Sequence, residues 1–439
     1  MGTESGTAEK VYVRSIKNNI VTLVLLIIAG AMIYSLPYFR SYYYDTFVEV
    51  YGLTNTQMGA LGSAYGGFAI IAYFLGGFCA DRWPAKKLLF VSLVVTGVLG
   101  FLLLLKPPYW ALFAIHAVWG ITSILTFWNA LVKALRSIAS EKEQGRVFGL
   151  FEGGRGITNM VQSAAVLAAF GILSEKISAQ AGLFTIIIIY SVIDIALGFL
   201  ILFMYREPPF HRESNAIVNV PVLKRVLKMP TTWLNAIIIF CSYAICCSYF
   251  YITPYTTAVF GATAVIGAAI GYFSQYVRPV GCFIAGFTAD RIGSSKVLLG
   301  SFILMIIGML GLIFIPGKKS MIGILLVFCA VIYASMYAAQ SMHFAIMEEA
   351  DNPVEVTGTV TAILTPLGYS VELFAPLIAG RCLDRWEGAK GYQVFFGVLT
   401  ILLVIGLFCT IAWLRMTKEK RENIQKARLQ AKAEKKKKS

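Results

Sequence analysis

Twelve apolar stretches of about 20 residues follow one another along this chain, each long enough to cross the hydrocarbon core of a bilayer as a helix. No other feature restricts the fold as much. A spanning segment must satisfy its backbone hydrogen bonds within itself or inside a closed barrel. Barrel strands would give segments of about 10 residues with alternating polarity, whereas these runs are continuous. Only 14% of the residues are charged, against about 25% in soluble domains, which excludes an ordinary globular enzyme. The chain reads as an all-α membrane protein.

The runs fall at 18–40, 54–80, 86–105, 108–133, 146–172 and 181–204, then at 231–258, 264–289, 295–315, 320–347, 356–380 and 391–415. This divides the chain into an N-terminal segment 1–17, a six-helix bundle 18–204, a polar linker 205–230, a second bundle 231–415 and a basic tail 416–439. Twelve spans put both termini on one side. If that side is cytoplasmic, its segments hold roughly three quarters of the Lys and Arg, so the expectation is a multi-pass inner-membrane protein with both ends inside. The connection carrying Glu348, Glu349, Asp351 and Glu355 is acidic and departs from that pattern, but acidic residues count little in the rule.

The net charge of +15 is concentrated in the tail after Trp413, which suits contact with anionic lipid and not nucleic acid. The first 17 residues are mixed polar and charged, unlike a cleavable signal peptide. The eight cysteines lie almost entirely in apolar runs without metal-ligand spacing, so neither a disulfide framework nor a metal is expected. A monomer without cofactors is expected.

The two halves repeat at a constant offset of 209 residues. Gly77, Asp81, Arg82 and Lys87 fall on Gly286, Asp290, Arg291 and Lys296; Tyr34 meets Tyr243, Tyr42 meets Tyr251, Gly62 meets Gly271 and Gly149 meets Gly358. One register held from first to fifth span implies two six-helix bundles related by an axis along the membrane normal. The segments Gly77-Phe-Cys-Ala-Asp81-Arg82 with Lys87, and Gly286-Phe-Thr-Ala-Asp290-Arg291 with Lys296, resemble the signature of the major facilitator superfamily. The first copy departs from it by having Pro84 where Gly is usual.

The resemblance covers about residues 18–415. It implies the major facilitator fold, a central cavity between the halves and alternating access. It also implies that these paired loops act as a latch, with each Asp meeting helix N-termini and basic groups on neighbouring helices. A plain positively charged turn is the simpler alternative. No GxxxxGK[ST] phosphate loop occurs, so secondary transport is the expectation.

Charged residues deep in a span are costly and mark candidate function. Arg278 lies about 18 Å of helical rise from Asp290, too far to reach water, with Pro279 beside it to loosen the helix. Such an arginine suits a carboxylate or phosphate-like group, or else a fixed internal ion pair. Arg155 lies about 15 Å inside its span, and Glu152 three residues earlier shares its face, so mutual neutralisation competes with a substrate role. By the family resemblance, spans 5 and 8 face each other and bring Arg155 and Arg278 onto one anion.

Glu372, His116 and Glu152 are candidates for proton coupling, with hydrogen-bonded packing as the alternative for the histidine. His343 and Asp194 are weaker candidates, each single within its span. Tyr34, Tyr243 and Tyr251 belong to aromatic clusters that either anchor the interface or line the cavity, and Arg40 is placed near the outer mouth, where it would steer anions inward.

Span 5 lacks the Gly-Pro motif of drug/proton antiporters, and the chain looks like a branch near the nitrate-porter and organic-acid groups. The repeat partner of Arg278 is Ala69, so the paired arginines of the nitrate porters are not reproduced. The function expected is secondary active transport of a small organic anion, a carboxylate or sugar acid, proton-coupled or by exchange. A neutral sugar or nucleoside carrier and a transporter-fold sensor signalling through the tail are the alternatives. No nucleophile, base and orienter set suggests an enzyme.

Overall fold

The computed structural model describes residues 15–140, 143–207, 220–350 and 357–424. Among them every regular element is a helix. Eight spans are single helices: span 2 (Asn55–Arg82), span 3 (Ala85–Leu103), span 5 (Gln144–Lys176), span 6 (Ala179–Met204), span 8 (Ala264–Ile292), span 9 (Ser294–Phe314), span 10 (Ile322–Met342) and span 12 (Ala389–Met416). The other four are broken. Span 1 runs as Ile20–Met32, Ser35–Tyr42 and Tyr44–Tyr51, with a 40° bend at its first break. Span 7 runs as Pro230–Cys246 and Ile252–Phe260, and span 11 as Thr357–Tyr369 and Val371–Arg385. Span 4 is Tyr109–Ile121, a π-helical stretch Thr122–Trp128, then Asn129–Ile138.

Nine of the described helices are long and apolar enough to cross a membrane, and the bent span 1 makes ten. The remaining two, spans 2 and 8, have 28 and 29 residues but dilute their apolar content with Gly, Tyr, Ser and Thr. These composition-poor helices form the seams between the halves. Span 2 packs on span 11, and span 8 packs on span 5, each contact being the repeat image of the other.

The repeat extends into the backbone. Gly52 and Gly261, 209 residues apart, end the distal pieces of spans 1 and 7 in the left-handed conformation, at φ 62° and 65°. Two residues later Thr54 and Thr263 cap spans 2 and 8, their side chains accepting from the N–H groups of Gln57 (3.1 Å) and Ile266 (3.3 Å). Pro84 and Gly293 are also equivalent, yet their turns differ. Pro84 takes φ −58°, while Gly293 takes φ +97°, which a proline ring cannot adopt. Both turns still start the next helix at the equivalent residue, Ala85 and Ser294.

We call the face that bears both described chain ends the terminal face and the opposite one the distal face. On the terminal face a carboxylate caps the start of spans 3 and 9. Glu207 accepts from the N–H groups of Ala85 (2.7 Å) and Lys86 (3.2 Å), and Glu349 accepts from Ser295 N–H (3.0 Å). Glu349 also takes the indole N–H of Trp413 at 3.3 Å. One charge of the acidic connection is thus buried and satisfies a helix N-terminus.

Candidate functional site

Between the halves lies a cavity of about 330 Å³, at the small end of the roughly 300–1,000 Å³ usual for small-molecule sites. Spans 1, 2, 4, 5 and 6 line it from one half, spans 7, 8, 10 and 11 from the other. Its wall is rich in phenols, with Tyr34 and its repeat partner Tyr243 both facing it, and amides come from Asn159, Gln162, Gln275 and Gln340.

Arg155 and Arg278 both line this cavity, and spans 5 and 8 are joined there by Tyr276 donating to the carbonyl of Met160 at 3.1 Å. Their environments differ. Arg155 bonds Glu152 at 3.3 Å and lies over the rings of Phe151 (5.5 Å) and Trp128 (5.6 Å), while its Nε is buried without a partner. Glu152 is half exposed. Arg278 has no carboxylate within 4 Å among the described residues; its guanidinium rests on the Tyr337 ring at 5.4 Å. Aromatic faces hold a cation in place without neutralising it, so Arg278 keeps its charge available to the cavity. Ala69 also lines the cavity, so the repeat position of Arg278 faces the site with no charge.

The π-helical stretch of span 4 was not legible in the sequence. Such bulges recur at functional sites. Here it brings Ile124 and Trp128 to the cavity wall, while Ser123 bonds the hydroxyl of Tyr65 at 2.9 Å. The amide row was missed too: Ser35 donates to Gln162 at 3.0 Å, and Gln162 donates to Asn159 at 2.8 Å. Residues three apart on span 5 signal it, but polar residues on one helix face are common enough to pass unnoticed.

Glu372 reaches the cavity from the first turn after the break in span 11 and accepts a hydrogen bond from Tyr38. Other expected residues are not brought in. His116 is fully buried in span 4, with Nδ1 2.8 Å from the carbonyl oxygen of Leu112 and its ring edge-on to Trp119. His343 pairs with Ser242 at 2.7 Å, and Asp194 is buried in span 6. Tyr251 corrects an expectation: it is buried off the cavity and donates to the Pro376 carbonyl at 3.0 Å. Arg40 corrects another. It does not stand at an open mouth but is buried between the halves, 7% exposed, against Gly62.

The distal side of the cavity is closed by contacts across the halves. Tyr42 stacks on Tyr272 at 4.0 Å and its hydroxyl lies 3.0 Å from that of Tyr249. Further out, Thr257 donates to Asp45 at 2.6 Å. On the terminal face, Gly77 and Asp81 of the first signature loop lie outside the residues whose surroundings are described. Lys87, Asp290, Arg291 and Lys296 are exposed. A Cβ at Gly286 would meet open space, and Asp290 makes no hydrogen bond or ion pair among the described residues.

Related chains and folds agree with this architecture. Over 410 residues the chain is 30% identical to Inner membrane protein YihN of Escherichia coli K12, spanning 91% of this chain and 96% of that one. It is 28% identical to Inner membrane protein YqcE of the same organism over 85% of this chain and 89% of the other. A bacterial homologue of the human lysosomal transporter Spinster, solved inward-facing and unoccupied, superposes with a TM-score of 0.73 at 13% identity, covering 93% of this chain and 99% of its own. The nucleoside transporter NupG superposes at 0.68 with 12% identity, over 91% and 99%. At such identities the two structures speak for the fold. The family model of the Major Facilitator Superfamily matches residues 19–376, and the chain belongs to that superfamily of transporters.

Proposed function

We propose that this protein is a secondary transporter that moves a small organic anion, a carboxylate or a sugar acid, across the inner membrane by alternating access. The observation that carries the reading is Arg278, a cavity-lining guanidinium with no carboxylate partner among the described residues. Leaving such a charge uncompensated in a low-dielectric site is costly, and an anionic solute removes the cost. Arg155, half-committed to Glu152, supplies a second contact through its unpartnered Nε.

The basic tail argues that the terminal face is cytoplasmic. The closed distal side then corresponds to an inward-facing state, and the solvent-exposed Asp290 to a disengaged latch. The driving gradient is a proton or a counter-solute, and the tail rests on anionic lipid. A second reading, a carrier of neutral sugars or nucleosides, draws on the phenol and amide lining. A sensor role would run through the tail, whose residues 425–439 lie outside those described.

A thermal-shift screen of purified protein against organic anions and neutral sugars, beside Arg278→Gln, separates these readings. A ligand that binds the folded protein stabilises it by mass action, about 2.7 kcal/mol at a hundredfold excess over Kd. Stabilisation by an anion, lost in Arg278→Gln, is the expected result. Stabilisation by a neutral solute that persists in Arg278→Gln would overturn the anion assignment.

A further inference from the structure

Just beyond the main cavity, on its distal side, is a second and much smaller chamber of about 20 Å³, room for one water-sized molecule. Tyr38, Arg40, Tyr44, Tyr251, Pro376 and Glu372 are among its walls. It lies within the closed seam between the halves, since Arg40 belongs to span 1 and Glu372 to span 11.

The charges here are unusual. Arg40 is buried, its Nε has no hydrogen-bond partner, and Nη1 reaches only Ser41 Oγ at 3.4 Å. No carboxylate comes within 4 Å of it among the described residues. The negative group that shares its chamber is Glu372, which bonds Tyr38 from the cavity side. The two share the chamber without direct contact, and inside a protein the attraction between opposite charges is screened far less than in water.

The other ionisable groups around Glu372 do not replace either partner. They are Tyr34 and Tyr38 of span 1, Tyr65 and Tyr73 of span 2, Tyr243, Cys246 and Cys247 of span 7, and Tyr369 of span 11. Beside Arg40 are Tyr44, Tyr251 and, from span 4, His116, whose Nδ1 is held at the Leu112 carbonyl and whose part in any pH response is removed by His116→Gln. Phenols and thiols ordinarily ionise above neutral pH. The pair Arg155 and Glu152 lies further toward the terminal face, its members bonded to each other at 3.3 Å.

The same two residues sit at a close contact between the halves. Span 2 presents Gly59, Gly62 and Gly66 to span 11. A Cβ at Gly66 would come within 2.8 Å of the Glu372 backbone, one at Gly62 within 3.0 Å of both Arg40 Nη2 and Pro376, and one at Gly59 would overlap the Pro376 carbonyl. Any change in the charge balance of the chamber is therefore felt by the seam directly.

We propose that Glu372 and Arg40 form a proton-binding site built into the closed distal gate, in which proton uptake by Glu372 leaves Arg40 uncompensated and loosens the seam between spans 2 and 11. This rests on the reading of the chain as a secondary transporter, and it names the coupling ion and the residue that links it to gating. Glu372 holds the proton; Arg40 is a positioning residue whose charge turns that proton into an opening force.

Hydrogen–deuterium exchange of the purified full-length chain, without any solute, tests it. The readout is exchange in peptides from residues 55–66 and 371–384, corrected for the intrinsic chemical rate at each pH. Wild type is expected to exchange faster in these peptides as the buffer goes from mildly alkaline to mildly acidic. Glu372→Gln, which mimics the protonated form, is expected to exchange at one rate across the series, roughly tenfold or more above wild type at the alkaline end and level with it at the acidic end, since one partner of a buried pair has been removed. Arg40→Met should be insensitive to pH, and Arg40→Met combined with Glu372→Gln should close the gate again, because no lone charge remains.

A flat wild-type profile, or a double variant as open as Glu372→Gln, would overturn the proposal. If Glu372→Gln fails to fold, the pH series of wild type against Arg40→Met decides the matter alone. Because no solute is present, failure here leaves the anion assignment standing, and loss of that assignment in the Arg278→Gln screen leaves this result readable.

Discussion

Asp384, in the last turn of span 11, accepts the backbone N–H of Thr56 in the first turn of span 2 at 2.7 Å, so one half of the molecule caps a helix of the other at the distal face. The same carboxylate takes the backbone N–H and side-chain amide of Asn55 at 3.0 and 2.9 Å. Hydrogen bonds to a charged acceptor are worth about 1.5–3 kcal/mol, less where solvent competes as it does here. Asp384→Ala should lower the preference for the distally closed state by about 1 kcal/mol, roughly fivefold in population. Faster exchange in the peptide covering residues 53–58, without loss of overall thermal stability, is the check; unchanged exchange there would show that the cap does not hold the gate.

Gly66 has no room for a methyl group against Glu372. Gly66→Ala should cost the closed seam about 1–3 kcal/mol by overpacking and slow transport accordingly. Gly300→Ala, on span 9, where a Cβ meets open space, is the matched control and should transport at the wild-type rate. Initial uptake rates of the two variants in proteoliposomes, once a solute is identified, make the comparison; equal rates would mean that the seam separates further than its closed form suggests.

Glu143 ties the N-terminal segment to the turn between spans 4 and 5. It accepts from the hydroxyl (2.7 Å) and backbone N–H (3.2 Å) of Ser140 and from Ile16 N–H (3.4 Å), and the Ser140 bonds hold its carboxyl below the usual glutamate value. A depressed carboxylate contributes fully above its unfolded pKa and loses that contribution as pH falls through the folded one. The tether should thus be intact at neutral pH and fail below about pH 4. Exchange at residues 15–19 measured against pH should rise over that window, and Glu143→Gln should remove the dependence.

Glu349 should be difficult to replace. It is 5% exposed and holds the N–H groups of Ser295 and Trp413, with Arg421 3.9 Å away. Glu349→Ala leaves these buried donors unpaired and should cost about 2–4 kcal/mol, read as a lower Tm. Glu349→Gln keeps an acceptor and should cost less. A Tm for Glu349→Ala equal to wild type would mean that water replaces the carboxylate.

Much of this architecture was written in spacing. Tyr34 and Tyr243, paired by the offset, both lie on the cavity wall, and Arg278, placed by helical rise from Asp290, lines the same cavity. What spacing cannot convey is the direction of a side chain after a helix breaks. Arg40 and Tyr251 follow breaks in spans 1 and 7, and both turn into the seam instead of the mouth or the cavity. Nor does sequence mark the π-helical turn that aims Trp128 beneath Arg155, because its hydrogen bonds shift by one residue without any change in composition. The acidic connection looked like an exception to charge asymmetry because a carboxylate facing inward onto a helix start is indistinguishable in sequence from one facing water.

The breaks in spans 1 and 7 have a further consequence. A continuous rod carries any tilt from one end to the other, so a transporter made of rods opens one side as it shuts the opposite one. Here the piece Ser35–Tyr42, which bears Tyr38, Arg40 and Tyr42, is separated from the pieces on either side of it by residues outside regular helix. Span 7 is interrupted in its equivalent region. Motion at one face is therefore not obliged to reach the other at once. Such breaks permit an interval in which both doors are shut and the passenger belongs to neither compartment.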